Sequence, residues 1–290
     1  MDSPVLKRIT HRIETEEEIR HSEELRDSFS RVLYLKLLEG DLEKEVFTVY
    51  DDKGKIKVET IKENGIESSK TEYEYDNEER IVSQRLVIAN ELYEEIQTTY
   101  QDKGLVQITI QNGEEVEKLL QTKNGKDFTN LFYFQNELIE RQEYIFNLFD
   151  NTSIQKDWDE KGHLIYRTET KYDEKGDILT EKIFNDKNNL MKEVKFELNN
   201  DLLVKEVHRD FINRDMALIY SHKYDSHRNL VHSECRDPEG NLLEFHNKEY
   251  DSYNRVVEEK GFSTGSFNAI YGTQVNGKDF HFIHRYEKIT

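Results

Sequence analysis

The chain reads as an all-β protein, in which tandem antiparallel β-hairpin repeats form a long, twisted, curved meander sheet that closes as far as a partial barrel or half-shell. Three observations predict this. A Tyr-Asp-x-x-Gly-x-aliphatic unit recurs along most of the 290 residues, the stretches between its copies alternate apolar and polar residues, and only two prolines, Pro4 and Pro238, interrupt the chain. Recurrence at a fixed short step is the mark of a repeat architecture, and alternation with period two is the mark of a strand.

Tyr50-Asp51-Asp52-Lys53-Gly54-Lys55-Ile56 sets the pattern. It returns from Tyr75-Asp76 to Ile81, from Tyr100 through Gly104 to Val106, from Trp158-Asp159 through Gly162 to Leu164, and from Tyr172-Asp173 through Gly176 to Ile178. Looser copies run from Phe184 through Asn188 to Leu190 and from Phe196 through Asn200 to Leu202. Tyr224-Asp225 to Leu230, Asp237 through Gly240 to Leu242, and Tyr250-Asp251 through Asn254 to Val256 complete the series. Copies start about 25 residues apart early in the chain and 12 to 14 apart later. The early gaps hold segments that read as worn copies, Ile110-Gln111-Asn112-Gly113 to Val116 and Phe134-Gln135-Asn136. The basic step is therefore one strand plus one turn.

The chemistry of the unit follows from its residue types. The aromatic side chain closes an incoming strand, and the aspartate accepts backbone N–H groups two residues on, which opens a tight turn. Gly or Asn three positions later supplies the positive φ that a hairpin with a bulge requires. The aliphatic residue then starts the outgoing strand. Gly54 and Gly176 are accordingly expected at positive φ.

Two regions depart from the repeat. Residues 1–30 are highly charged and form a candidate N-terminal cap. Within and just beyond them Leu25, Phe29, Val32 and Leu33 fit the stripe of a short helix, whereas Ile13 and Ile19 fit a worn repeat. The array itself is assigned to residues 31–261. Residues 262–290 form the second cap, with Phe280–Tyr286 as a last alternating strand. Terminal units of repeat arrays commonly differ from the rest because they shield the outer edges.

Composition narrows the class. Apolar residues make up 35% of the chain and charged residues another 35%, yet there are 16 Tyr and 15 Phe. So many aromatic residues argue against disorder and suit a folded but thinly cored sheet. Forty-one basic against sixty acidic residues give a net charge of −19, which repels phosphate backbones and favours a basic protein partner over nucleic acid. A single cysteine, Cys235, excludes an intramolecular disulfide framework. The longest apolar stretch, Val32–Leu38, is too short for a membrane helix, and the first residues lack an apolar signal-peptide core. The expected location is the cytoplasm, with leaderless secretion as the other route, and no membrane insertion is expected.

Candidate sites are weighed against turn and strand chemistry. Acidic pairs such as Asp51-Asp52 and Asp159-Glu160 recur at turn positions, where turn formation accounts for them. Histidines concentrate late, at 208, 222, 227, 232 and 246, with Cys235 nearby, but their spacing matches no zinc pattern. Neither a metal, a cofactor nor a catalytic residue is expected. The aromatic residues that precede the turns, Tyr50, Tyr75, Tyr100, Trp158, Tyr172, Tyr224 and Tyr250, form the candidate partner-binding row. Their alternative role is cross-strand packing.

The Tyr-Asp turns at 50, 75, 172, 224 and 250 resemble those of the RHS/YD-repeat family of bacterial proteins, whose units read roughly YDxxGRL. The likeness covers about Tyr50 to Val256. It implies a bacterial β-sheet of spiral or shell form, in a family linked to polymorphic toxins, cell-surface proteins and secretion systems. The expected function is a non-enzymatic β-repeat scaffold or protein-interaction module of such a system. One alternative is an acidic cytoplasmic immunity protein that neutralises a basic toxin; another is a carbohydrate-binding or cell-envelope module.

Overall fold

The computed structural model describes residues 5–14, 17–212, 216–263 and 279–289. Among these residues there is no helix. The chain forms 22 strands, beginning with β1 (Leu6–Glu14), β2 (Glu17–Arg26), β3 (Val32–Glu39), β4 (Leu42–Tyr50), β5 (Ile56–Glu63), β6 (Ile66–Tyr75), β7 (Ile81–Ile88), β8 (Glu91–Gln101), β9 (Gly104–Gln111), β10 (Glu114–Asn124) and β11 (Asp127–Phe134). Then follow β12 (Glu137–Asn147), β13 (Thr152–Asp159), β14 (Leu164–Tyr172), β15 (Ile178–Asn185), β16 (Leu190–Asn199), β17 (Leu202–Asp210), β18 (Met216–Tyr224), β19 (Leu230–Arg236), β20 (Leu242–Tyr250), β21 (Val256–Ser263) and β22 (Asp279–Lys288). Two compact units divide the chain. One comprises Met1–Thr122, Phe132–Leu138 and Ile283–Thr290, and the other Lys123–Leu131 and Ile139–Phe282.

Two expectations are corrected. The N-terminal helix is replaced by the antiparallel pair β1–β2, and Leu25 lies opposite Tyr34 of β3 across a turn at Asp27–Arg31. The physical reason is that Asp27 organises that turn as the other aspartates do, which prevents residues 25–33 from winding into one helix. The open meander is replaced by a closed ladder. All 22 strands share one sheet, and β1 pairs with β22 as well as with β2, which is the strand-pairing topology of a closed barrel. Closure removes the free edges that an open sheet would have to shield. The expected last strand is present as β22, and residues 264–278 of the second cap lie outside the described residues.

Each Tyr-Asp turn is built by one aspartate. The Asp51 N–H donates to the Lys55 carbonyl at 2.8 Å, and the Gly54 N–H donates to the Asp51 carbonyl at 3.0 Å. Its Oδ1 accepts the N–H groups of Lys53 and Lys55 at 2.9 and 2.8 Å. Asp27, Asp76, Asp159, Asp173, Asp225 and Asp251 make the same four bonds, and Asn185 does so with its amide oxygen. The third residue after the aspartate is left-handed whatever its type: φ is 82° at Gly54 and 94° at Gly176, but also 63° at Glu79 and 58° at Asn254. A bulge follows, so the aromatic residue lies opposite the residue six positions on, as in Tyr50 with Ile56, Tyr75 with Ile81, Trp158 with Leu164, Tyr172 with Ile178 and Tyr250 with Val256.

A second turn type accounts for the uneven spacing. Asn64-Gly65, Ala89-Asn90, Asn112-Gly113, Gln135-Asn136 and Asn200-Asp201 are two-residue hairpins with positive φ at both positions. Such turns match the natural strand twist. Ile110–Val116 and Phe134–Asn136 are therefore a different turn, not worn copies of the first, and the same holds for Phe196–Leu202, where Asn199 lies opposite Leu202. Tyr100 lies opposite Leu105, one residue short of the expected Val106. Early repeats alternate the two turn types, giving a step of two strands. From β13 to β16 and from β18 to β21 the Asp-type turn, with Asn185 taking the aspartate's place once, occurs at both strand ends, giving a step of one strand.

Apolar burial is slight. Among the described residues the buried hydrophobic side chains are Cys235 and Phe280, whereas the buried polar ones include Thr48, Thr98, Thr109, Ser153, Thr170 and Ser233. These small side chains are sheltered by larger cross-strand neighbours. The opposite face of the second unit carries ion pairs, among them Arg167–Glu169, Lys182–Glu193 and Arg236–Glu234.

These geometries set a rank order of glycine substitutions. A Cβ on Gly176 meets nothing within 4 Å, so Gly176→Val should cost only its backbone strain, about 1–2 kcal/mol. A Cβ on Gly104 would lie 1.8 Å from the Gln121 carbonyl oxygen across the sheet. Gly104→Ala should therefore destabilise more than Gly176→Val in urea unfolding, despite the smaller side chain.

Candidate functional site

The candidate row of aromatic residues is drawn into the repeat itself. Tyr50 donates its hydroxyl to the Val32 carbonyl at 3.0 Å, Tyr75 to Ile56 at 2.8 Å and Tyr100 to Ile81 at 3.2 Å. Tyr224 reaches the Leu203 carbonyl at 2.9 Å and Tyr250 that of Leu230 at 3.0 Å. Ile56, Ile81 and Leu230 each open the outgoing strand of the preceding Tyr-Asp unit, so each phenol ties one repeat to the last. Burial raises the pKa of Tyr50, Tyr75, Tyr224 and Tyr250, which keeps these hydroxyls as donors. Tyr172 instead shares a hydrogen bond of 3.0 Å with the Ser153 hydroxyl. Trp158 lies beneath the Arg141 guanidinium, 5.8 Å from its ring centroid.

Arginine strengthens these links where it follows the left-handed residue. Arg31 is held by Asp27 Oδ2 through Nε at 2.7 Å and stacks on Tyr50 at 4.6 Å. Arg80 is held by Asp76 Oδ2 at 2.8 Å and stacks on Tyr100 at 4.1 Å. In both cases an aspartate orients a cation over the ring of the next repeat, a favourable use of the ring quadrupole. Hydrogen bonding to Arg80 and to nearby backbone N–H groups outweighs desolvation and lowers the Asp76 pKa.

Different rings remain exposed. Phe29, Phe149 and Tyr253 are 75, 100 and 77% exposed, and each sits in a turn. Phe29 borders a groove of about 630 Å³ with Arg31, Tyr50 and Asp51 in the first unit. In the second unit Leu148, next to Phe149, borders a groove of about 390 Å³ with Phe146, Asn151, Tyr172 and Asp173. Sequence reasoning passed over Phe149 and Tyr253 because they fall inside turns, and it placed Phe29 on a helical stripe. An aromatic residue at a turn centre, where polar residues normally serve, was the available signal.

The late histidines are held by carboxylates. Glu206 accepts His208 Nε2 at 2.9 Å and His222 Nε2 at 3.0 Å. His232 pairs with Asn247 at 2.6 Å, and His246 Nε2 lies 2.9 Å from Glu259 in a short but bent contact. His227 lies in the turn at Asp225, as expected. Burial by itself would raise the Glu206 pKa, but the two imidazole hydrogen bonds prevail and lower it to about 2. Cys235 is buried beside Tyr220, and burial pushes its thiol up to about 11. Among the described residues no group of three or more His, Cys, Asp and Glu side chains is placed to hold a metal ion.

One carboxylate has no cationic partner in its immediate network. Asp157 is 0% exposed, and both its oxygens accept Gln155 Nε2, at 2.9 and 3.0 Å. Gln142, in the same network, donates to Glu140 at 2.8 Å. Burial pushes the Asp157 pKa up and Glu140 adds to the rise, against the hydrogen bonds from the two glutamines. Tyr144 and Tyr166 lie close enough for its charge to raise their own pKa values.

No protein-family model matches the chain, and no curated protein matches it. Solved structures do. A porin-like protein from Bacteroides uniformis aligns over 100% of this chain and 99% of its own, at 8% identity and a TM-score of 0.34. A porin-like protein from Bacteroides vulgatus aligns over 88% of this chain and 98% of its own, at 11% identity and a TM-score of 0.29. TcdB2-TccC3-TEV aligns over 84% of this chain but only 17% of its own, at 10% identity and a TM-score of 0.23. These similarities are ones of β-rich, repeat-like folding.

The expectation of a cytoplasmic chain is corrected. It rested on the lack of an apolar helix, and that criterion says nothing of β-barrels. The ladder of 22 antiparallel strands in which β1 pairs with β22 is a pairing by which a chain can cross a membrane without any apolar helix, so the cytoplasmic expectation is withdrawn.

Two measurements test this chemistry. Tyr75→Phe deletes only the hydroxyl that reaches Ile56 and should cost about 1 kcal/mol in urea unfolding. Glu206 has a folded pKa below its ordinary 4.5, so its contribution should be fully present above pH 4.5 and should fade as the pH falls towards about 2. Glu206→Gln should therefore flatten the pH dependence of stability between those limits.

Proposed function

We propose that the chain is a non-enzymatic β-repeat scaffold, related to RHS/YD-repeat proteins, that binds a protein partner through exposed rings at its turns. One observation carries this reading. Tyr50, Tyr75, Tyr224 and Tyr250 are bonded to neighbouring strands and the aspartates close their own turns, whereas Phe29, Phe149 and Tyr253 are largely exposed in turns, with only Arg31 over Phe29 and Arg255 over Tyr253. Aromatic side chains supply large contact area at low entropic cost, and they dominate protein interfaces. In the second unit Phe149 lies in the β12–β13 turn and Tyr253 in the β20–β21 turn, both where an even-numbered strand ends. In an antiparallel meander such turns share one edge of the sheet.

The net charge of −19 complements this contact by favouring a basic partner and speeding its approach. The test begins with a partner captured from the native cells and a binding measurement on the purified pair. Phe149→Ala with Tyr253→Ala should weaken binding by about 2 kcal/mol or more while leaving the melting temperature unchanged. Tyr172→Ala should lower the melting temperature as well, because its hydroxyl bonds Ser153. Unchanged affinity in the double variant would refute the reading.

A further inference from the structure

Four buried carboxylates in this chain sit beside basic groups. Glu24, Asp27, Glu193 and Glu206 are 5, 3, 7 and 4% exposed. Glu24 bonds Arg8 at 2.9 Å as well as Arg26, and Asp27 bonds Arg31 at 2.7 Å. Lys195 lies 3.3 Å from Glu193, and Glu206 holds two imidazoles. Asp157 of β13 is buried more completely than any of these, at 0% exposure, and among the described residues it has no basic partner.

Strand alternation accounts for the exception. Asp157 lies opposite Gln142 of β12 and Tyr166 of β14. The cations of these three strands, Arg141, Lys156, Arg167 and Lys171, occupy the intervening positions and so belong to the other face. Both Asp157 oxygens accept Gln155 Nε2, at 2.9 and 3.0 Å, so two oxygens draw on one amide. The other amide in reach, that of Gln142, also donates to Glu140 at 2.8 Å and is divided between two carboxylates. A carboxylate enclosed without a cation is costly to ionise, and such a group keeps its proton instead.

Two residues further along β13 the surroundings are reversed. Asp159 opens a turn, and its Oδ1 accepts the N–H groups of Lys161 and His163 at 2.9 and 2.7 Å. Its Oδ2 lies 3.0 Å from His163 Nδ1. Donors of this kind favour the ionised form.

We propose that Asp157 is a proton-holding site at the centre of β12 to β14, still protonated under mildly acidic conditions in which Asp159 is ionised. Loss of the proton to solvent water loosens the three strands, because it leaves a buried charge beside Glu140 with no cation to offset it. The acidities agree with this geometry. Burial pushes the Asp157 pKa up and Glu140 adds to the rise, against the hydrogen bonds from Gln155 and Gln142. The His163 backbone N–H leads the groups that lower the pKa of Asp159.

The titratable groups beside Asp157 are Glu140 and Tyr144 on β12 and Tyr166 on β14. From β11 come Phe128, stacked on Tyr144 with centroids 4.1 Å apart, and Asn130, bonded to Gln142 at 3.4 Å. On β15 the same face continues to Glu181, opposite Thr170 and displaced along the strands from Asp157.

Asp157 binds its proton more tightly in the folded chain than in the unfolded one. Its contribution to stability is therefore fully present below its ordinary value of 3.8 and is lost as the pH rises through the raised one. That of Asp159 is present above 3.8 and is lost as the pH falls. Urea unfolding of the full chain from about pH 2 to pH 8 separates the two. Asp157→Asn is uncharged throughout, and Asp159→Asn keeps the turn acceptor as Asn185 does. Relative to the unsubstituted protein, the urea midpoint of Asp157→Asn should rise with pH above about 4. That of Asp159→Asn should fall as the pH climbs to about 4 and then stay level. A midpoint difference for Asp157→Asn that is flat or falls with pH would overturn the proposal.

A second readout needs no substitution. In the unsubstituted protein labelled with ¹³C at the aspartate side-chain carboxyl, one resonance should still report the protonated acid after the others have shifted. Its disappearance from the Asp157→Asn spectrum supports the assignment, and its persistence there overturns it. Should Asp157→Asn fail to fold, the labelled unsubstituted protein decides: one late-titrating aspartate supports the proposal, and none overturns it.

Discussion

The fold depends on a carboxylate oxygen that accepts two backbone N–H groups in the same turn. At Asp51 these come from Lys53 and Lys55, and the same pair of acceptances recurs at six further aspartates. A charged acceptor holds the loop closed firmly enough that the left-handed position tolerates Glu79, Arg228 and Asn254 as well as glycine. The bulge that follows puts the aromatic residue opposite the aliphatic one, and this register sends the phenols of Tyr50, Tyr75, Tyr100, Tyr224 and Tyr250 to a carbonyl of an earlier strand. The aspartate therefore sets the turn, the turn sets the register, and the register sets the link between repeats.

Such a molecule is held together mainly by polar contacts that recur, with modest help from a core. Buried threonines and serines, tyrosine-to-carbonyl bonds and arginine stacked on tyrosine each contribute on the order of 1 kcal/mol or less net. Their number matters more than any one of them. Stability in a repeat array is nearly a sum over neighbours, so losing one link should open one boundary before it unfolds the whole. Ring closure changes that arithmetic, because β1 and β22 then protect each other's edges.

Much of this was legible in the chain. The aromatic-to-aliphatic spacing of six predicted the bulged register, and Gly54 and Gly176 adopt the positive φ that their place requires. The N-terminal strands were missed because Asp27 is preceded by Arg26 instead of an aromatic residue. A search for Asp followed four residues later by Arg and then an aliphatic residue would have found Asp27-Arg31-Val32 beside Asp76-Arg80-Ile81. Closure was not legible at all, since the pairing of the first and last strands joins residues some 280 positions apart and leaves no periodic trace.

The residues around Glu206 show why side chains brought side by side on such a sheet escape local motifs. From Glu206 the row steps 16 residues to His222, 11 to Ser233, then 13 to His246 and 13 to Glu259. None of these intervals is a ligand or catalytic spacing, because each is the length of one strand plus one turn. A turn that grows or shrinks by a residue moves the next side chain to the opposite face, as any one-residue slip in a strand does. The aspartate-built bulges hold those lengths, so the same carboxylates that close the turns keep the imidazoles and the serine in line. Chemistry on this sheet is set by turn length, and a motif search for it would have to be run at the period of the repeat.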